Sequence, residues 1–215
     1  MKKAVIFDLD GTLINTSEGI RNSVKFAELK MGLTPLSDEQ EYLKFIGPPP
    51  HETYQKLYGI TAEQSLKATD FHREYGGEKG IYESELYENI TEFLSQLKQK
   101  RFLMGVATYK RHDLAISIIE HFKLTQYFNS VCGLDNKNNL KKSEIIQKCV
   151  NELNVKNNDC VYIGDSEYDA IAAQNLGIDF IGLTYGFGFK NKQDVDKFNN
   201  IGVASDVRGL SDFLV

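Results

Sequence analysis

The chain has 215 residues, an apolar fraction of 41%, a charged fraction of 26% and a net charge of −5. That is enough for one large domain, or for a core with a smaller insert, and the composition is that of an ordinary soluble globular protein. The acidic balance argues against a nucleic-acid partner, no apolar run is long enough to span a membrane, and an anionic small ligand would have to be captured by local charge.

The first stretch with a clear pattern is Ala4-Val5-Ile6-Phe7, a continuous apolar run of the kind found in a parallel strand buried on both faces. Asp8-Leu9-Asp10-Gly11-Thr12-Leu13 comes next, placing two carboxylates two residues apart on one side of the strand as it ends. Burying two carboxylates together is costly unless a cation or a substrate compensates, and a site that holds Mg²⁺ and handles phosphate would do so. Two solvated aspartates capping a turn fit the same spacing. Lys2-Lys3 begins as a signal peptide begins, but Asp8 cuts the apolar run short.

From Asn15 the period becomes helical. Ile20, Val24, Ala27 and Met31 recur on one face, Asn15 with Glu18 resembles a capping box, and Gly32 stands after them as a stop. Ser37 with Gln40 opens a second helix, which ends before Gly47-Pro48-Pro49-Pro50. A short third helix stops at Gly59, and Thr61 with Gln64 caps a fourth that runs toward Gly76-Gly77. Four helices without a strand make residues 16–85 a helical insert.

After Asn89 helix and strand alternate. A helix face of Ile90, Phe93, Leu94 and Leu97 precedes the strand Leu103-Met104-Gly105-Val106-Ala107. Helices through Leu114–Phe122, Ile145–Val150 and Tyr168–Leu176 alternate with strands near Val131, at Cys160–Ile163 and at Phe180–Leu183. This order predicts an α/β fold with a parallel sheet, to which the opening strand belongs. Cys132, Cys149 and Cys160 show no C-x-x-C spacing, which suggests reduced thiols and a cytoplasmic location. The four histidines show no ligand spacing and read as surface or packing residues.

Ligands of such sheets bind beyond the carboxyl ends of the strands. There the chain delivers Asp8 and Asp10, then Thr108, then Asp165 and Asp169, the last two one helical turn apart. Carboxylate oxygens with few nitrogen or sulfur ligands suit Mg²⁺, not zinc. Thr108 is equally what a helix cap uses, and Asp165 and Asp169 are equally what a helix start favours. Lys141-Lys142 opens a helix against its dipole, a placement that becomes useful if one lysine meets the carboxylates and a phosphate.

Asp8-x-Asp10-Gly11-Thr12, Thr108 after a strand, a lysine, then Gly164-Asp165-x-x-x-Asp169, in this order, resemble the haloacid dehalogenase-like hydrolase superfamily. The resemblance covers essentially the whole chain. Phe45-Ile46-Gly47-Pro48-Pro49, Lys142-Ser143-Glu144-Ile145-Ile146 and Tyr185-Gly186-Phe187-Gly188 resemble its phosphoglycolate phosphatase and bacterial 5′-nucleotidase-like branch. Glu88-Asn89 departs from the Pro-Gly frequent in relatives, and Ser166-Glu167-Tyr168 fills a variable part of the last motif.

The resemblance implies a Rossmann-like parallel sheet core, residues 1–15 and 86–215, with an inserted helical cap domain, residues 16–85. It implies a phosphatase acting on small phosphorylated metabolites of the phosphoglycolate or nucleoside 5′-monophosphate type. Asp8 would be the nucleophile, forming an aspartyl-phosphate, and Asp10 the acid and then the base. Mg²⁺ would be held by the Asp8 carboxylate, the Asp10 carbonyl and Asp165, with Asp169 ligating or orienting. Thr108 and Lys142, the latter in preference to Lys141, would bind phosphoryl oxygens. The cap would close over the site and read the leaving group; its cations Lys44, Arg73 and Lys79 are candidates, although a solvated helix face accounts for each as well. A monomer or homodimer is expected. The rival within the family is a sugar phosphomutase of the β-phosphoglucomutase type; the rival outside it is a phospho-accepting receiver module, which is shorter and lacks the insert. A dehalogenase is disfavoured because its relatives lack an acid at the position of Asp10.

Overall fold

The opening apolar run becomes strand β1 (Ala4–Phe7), fully buried as its sequence requires. The computed structural model describes residues 2–135 and 140–214. After β1 come β2 (Ile14–Asn15), the helices α1 (Ser17–Met31), α2 (Glu39–Tyr42), α3 (Pro50–Tyr58) and α4 (Ala62–Tyr75), and strand β3 (Glu85–Leu86). The remainder alternates: α5 (Ile90–Gln99), β4 (Leu103–Arg111), α6 (His112–His121), β5 (Ser130–Leu134), α7 (Lys142–Glu152), β6 (Cys160–Gly164), α8 (Glu167–Leu176) and β7 (Asp179–Leu183). Helix α9 (Lys192–Val195), strand β8 (Gly202–Ala204) and helix α10 (Ser211–Leu214) complete it.

Six strands form one sheet in the order β5-β4-β1-β6-β7-β8, with every pair parallel. β1 sits between β4 and β6, with Ala4 opposite both Leu103 and Cys160. Successive side chains of a strand point to opposite faces. Ala4 and Ile6 accordingly join a core with Tyr162, Ile145, Ile146 and Cys149, whereas Phe7 meets Phe93 and Phe128 edge-on. The edge strand β8, α9 and α10 were not legible in the sequence; each is short and carries little periodicity.

The chain folds as two compact units, residues 1–14 with 86–215, and residues 15–85. The second unit is helical. Thr61 and Gln64 form the expected capping box on α4. Two other expected caps differ. Asn15 accepts hydrogen bonds from the backbone and hydroxyl of Ser17, so no box forms with Glu18. Asp38, not Ser37, caps α2 by accepting from the Gln40 backbone, because a carboxylate one residue nearer makes that bond directly. Gly76-Gly77 does not stop α4; the chain continues as a π-turn over Gly76–Gly80.

Of the three cations singled out in this unit, Lys44 pairs with Glu41 at 3.1 Å and Lys79 lies over the Tyr75 ring. Arg73 departs from a solvated face: it is buried, because α4 packs against both α1 and α3. The unit also buries Glu28, whose carboxylate accepts from the hydroxyls of Tyr42 and Tyr58 and from the Leu36 backbone N–H. Burial, with Glu28 beside it, pushes the Tyr42 phenol up to about 12, so the hydroxyl remains a donor. Among the described residues no helix is long and apolar enough to cross a membrane.

Glu28→Ala should leave buried donors without an acceptor and lower stability by about 1–3 kcal/mol, whereas Glu28→Gln, which keeps an acceptor oxygen, should cost less. Urea unfolding midpoints would measure the difference; equal midpoints for wild type and Glu28→Ala would show that this network contributes nothing.

Candidate active site

Asp8, Asp10, Thr108, Lys142, Asp165 and Asp169 all lie in the first unit and are all buried. Asp8 is the residue after β1, and its backbone N–H donates to Ile163 of β6, which fixes the end of the strand. Gly11 adopts φ +81°, a left-handed conformation that few side chains tolerate. A Cβ at that position would also run into the Asp165 carboxylate, so the turn needs glycine on both counts. This turn lets Asp8 and Asp10 take different partners although they leave the same strand end.

β4 does not stop at Ala107 as expected. Its pairing with β5 runs from Ala107↔Cys132 to Arg111↔Leu134, so Thr108, Tyr109 and Lys110 stand opposite Gly133 alone. The surplus residues form a bulge, a device that re-aims side chains at the end of a strand. Gly133 permits it, because a Cβ there would meet the Lys110 carbonyl and the His112 backbone. Within the bulge the Thr108 hydroxyl accepts from the Lys110 backbone N–H at 3.1 Å.

Lys142, not Lys141, enters the carboxylate cluster. Its ammonium lies 2.8 Å from Asp8 and 2.9 Å from Asp169, with its side chain only 5% exposed. Lys141 is exposed and its backbone N–H donates to Glu144. The rings of Tyr109 and Tyr162 stand 5.4 and 5.9 Å from the Lys142 ammonium, positions from which aromatic faces attract a cation. Tyr109 also accepts the backbone N–H of Lys142 at 2.9 Å, satisfying one of the unpaired donors of the α7 amino end.

Asp169 is held from several sides: Ser166 donates to it through N–H and hydroxyl, and Tyr162 through its hydroxyl. Asp165 accepts from the backbone N–H groups of Phe187 and Gly188, at 2.7 and 3.1 Å. These come from the Tyr185–Gly188 stretch, whose contribution to the site the spacing of residues did not reveal. Asp10 lies at the edge of the cluster, its two carboxylate oxygens 3.0 and 3.1 Å from the ammonium of Lys110. Lys110 was missed in the sequence. A Thr-x-Lys spacing at a strand end carries no signal without the bulge that turns it inward.

One carboxylate oxygen each from Asp8, Asp165 and Asp169 lie within 4.8 Å of one another, all buried, in a set that could hold a metal ion. The carboxylate of Asp10 is not part of that set; the resemblance assigns its main-chain carbonyl to the metal instead. Among the described residues two lysines pair with this group of four carboxylates, which leaves a surplus of negative charge there. Burial pushes the Asp8 carboxyl up to about 6; Lys142 opposes this, and Asp169 and Asp10 add to it. Burial, with Asp169 and Asp8, takes Asp165 up to about 7 despite its two backbone donors. Burial alone would lower Lys142, but Asp169 and Asp8 outweigh it and hold the ammonium above its ordinary value. An all-oxygen donor set with surplus negative charge fits a hard divalent cation.

The family model of the haloacid dehalogenase-like hydrolases matches residues 5–183. Over 192 residues the chain is 31% identical to the 5′-nucleotidase of Pseudomonas aeruginosa, a match that covers 87% of this chain and 85% of that protein. It is 30% identical over 174 residues to the pyrophosphatase PpaX of Bacillus cereus, covering 80% and 79%. The crystal structure of a predicted phosphatase from Clostridium acetobutylicum, 35% identical, covers all of both chains with a TM-score of 0.90. A match that runs from β1 through β7 takes in each strand end at which the acidic cluster is built, and the chain belongs to the haloacid dehalogenase-like hydrolases, among that family's phosphatases.

Proposed function

We propose that this enzyme is a Mg²⁺-dependent phosphatase that hydrolyses small phosphate monoesters, of the phosphoglycolate or nucleoside 5′-monophosphate type, through an aspartyl-phosphate. The observation that carries the reading is the pairing of Lys142 with Asp8 inside a buried set of carboxylates. An attacking carboxylate must approach a phosphate dianion, and only compensating positive charge makes that approach possible. Mg²⁺ held by Asp8, Asp165 and Asp169, with the carbonyl of Asp10, would screen that repulsion and polarise the phosphoryl group. The helical unit, residues 15–85, is proposed to act as the cap that selects the leaving group.

In this mechanism an Asp8 carboxylate oxygen attacks phosphorus while the bond to the ester oxygen breaks. Lys142 and Thr108 bind the phosphoryl oxygens. Asp10 gives its proton to the departing alkoxide and afterwards takes one from the attacking water. That water displaces the Asp8 carboxylate from phosphorus, leaving inorganic phosphate and the free nucleophile. Support for separating the two roles comes from the different partners of the two aspartates, Lys142 for Asp8 and Lys110 for Asp10.

Turnover of a panel holding a nucleoside 5′-monophosphate, 2-phosphoglycolate and a hexose 1-phosphate tests the reading. Phosphate release should stop in EDTA and return with Mg²⁺. Conversion of the hexose phosphate to its isomer without phosphate release would replace it by a phosphomutase.

Asp8→Asn should form no phospho-enzyme and fall to background turnover. Asp10→Asn should be nearly inactive on an alkyl phosphate, yet accumulate phospho-enzyme with p-nitrophenyl phosphate, whose leaving group departs without a proton. Acid quench of each variant with labelled substrate reads this directly, and identical behaviour of the two would remove the division of labour.

A raised carboxyl binds its proton more tightly in the folded than in the unfolded chain. The stability that Asp8 and Asp165 contribute is therefore full below their ordinary values and is lost as pH rises through about 6 and 7. The metal-free protein should lose thermal stability between about pH 5 and pH 8 on this account, and Mg²⁺ should raise the melting temperature far more at the upper pH, where no protons compete. Calorimetric scans with and without Mg²⁺ would show it; an equal Mg²⁺ effect at both pH values would contradict the metal assignment.

A further inference from the structure

Lys142 serves the mechanism above only while its ammonium stays between Asp8 and Asp169, at 2.8 and 2.9 Å. Those contacts take two of its three donors and leave the third for a phosphoryl oxygen. A lysine does little to hold itself there, because its four-carbon stem carries more rotamer freedom than most side chains. One residue without a role in the mechanism touches both ends of that stem. At the root, the Tyr109 hydroxyl accepts the Lys142 backbone N–H at 2.9 Å; at the tip, the centroid of the Tyr109 ring stands 5.4 Å from the ammonium. Tyr162 meets the tip alone, 5.9 Å away, with its hydroxyl turned to the Ala107 carbonyl and Asp169.

Tyr109 is itself fixed. It sits in the bulge of β4, and its ring meets that of Tyr168 on α8 edge-on, with centroids 5.9 Å apart. The face of an aromatic ring carries negative charge density, so an ammonium near it gains an attraction that an aliphatic side chain of similar bulk does not give. Desolvation strengthens the effect, and the Lys142 side chain is only 5% exposed. A tyrosine has few side-chain torsions to order, so it loses less freedom on being fixed than the lysine it holds.

We propose that Tyr109 is a positioning residue for phosphoryl transfer: its hydroxyl anchors the first residue of α7, and its ring holds the Lys142 ammonium beside Asp8 with one donor kept for the phosphoryl group. The inference rests on the reading of Lys142 as a ligand of that group. It goes beyond that reading in naming the residue that keeps the lysine in place and the property of its ring that does so. A Tyr109 that only filled space between β4 and α8 would act through its size, and any ring of that size would serve.

The test compares wild type, Tyr109→Phe, Tyr109→Leu and full-length chains that carry di- or trifluorinated phenylalanine at residue 109. Fluorine withdraws electrons from the ring face and scarcely changes the size of the ring. Each protein is assayed with Mg²⁺ on p-nitrophenyl phosphate, whose leaving group needs no proton, and kcat/KM is divided by the folded fraction read from circular dichroism. Tyr109→Phe should retain most of the wild-type value. The fluorinated rings should lower it stepwise, and Tyr109→Leu should fall on the order of tenfold below Tyr109→Phe. Equal values for Tyr109→Phe and the fluorinated rings would overturn the proposal and leave the phosphatase reading intact, as would equal losses in Tyr109→Phe and Tyr109→Leu. Where Tyr109→Leu fails to fold, the fluorinated series decides alone. A wild type that releases phosphate from no ester at all would overturn the phosphatase reading, and this one with it.

Discussion

An ammonium taken out of water needs close negative charge, and carboxylates taken out of water need close positive charge. Lys142 meets both requirements at once, bridging Asp8 and Asp169 from the first residue of α7. Around that bridge the elements of the core converge. β1 brings Asp8, β6 and the start of α8 bring Asp169, and the bulge in β4 brings Tyr109, which accepts the Lys142 backbone N–H and offers its ring to the ammonium. A lysine at a helix amino end would ordinarily oppose the dipole; here two carboxylates outweigh it. The interaction that closes the core at this edge is thus the same one that arranges its chemistry.

The charges do not balance, and the imbalance is distributed unevenly. Asp165 relies on backbone N–H groups from the Phe187–Gly188 turn, Asp169 on two hydroxyls and a backbone N–H beside Lys142, and Asp10 on Lys110. Each carboxylate therefore sits in a different local field although all four gather at one end of one sheet. Such inequality is what allows like groups to be assigned unlike tasks.

Much of this was legible in the sequence, for reasons that differ from residue to residue. The strands β1, β4, β6 and β7 announced themselves because a strand buried on both faces must be apolar throughout, and the alternation with helices fixed a parallel sheet. Asp8, Asp10, Thr108, Asp165 and Asp169 could be placed together because parallel strands deliver the residues at their carboxyl ends to one edge. Lys142 could be preferred to Lys141 only through the resemblance; burial is what separates the two in space. Lys110 and Tyr109 were illegible, since their direction depends on a bulge set by pairing with Cys132 and Leu134 more than twenty residues later. Arg73 was misplaced because a charged residue on a helix reads as solvated until the packing of that helix is known. The caps of α1 and α2 were each misread by a residue or so, where several side chains compete for the same unpaired backbone donors.

The position of β1 also has a consequence for how the protein is made. The strand that carries Asp8 pairs on one side with Leu103–Val106 and on the other with Cys160–Ile163, and has no partner within the residues that immediately succeed it. At ordinary rates of synthesis the ribosome delivers its second neighbour roughly ten to thirty seconds after the strand itself has emerged. Residues 15–85, a compact unit that is continuous in sequence, have all been synthesised before either neighbour of β1. The apolar run Ala4–Phe7 therefore waits for its second partner through most of translation, and the centre of the sheet is among the last parts of the molecule to close.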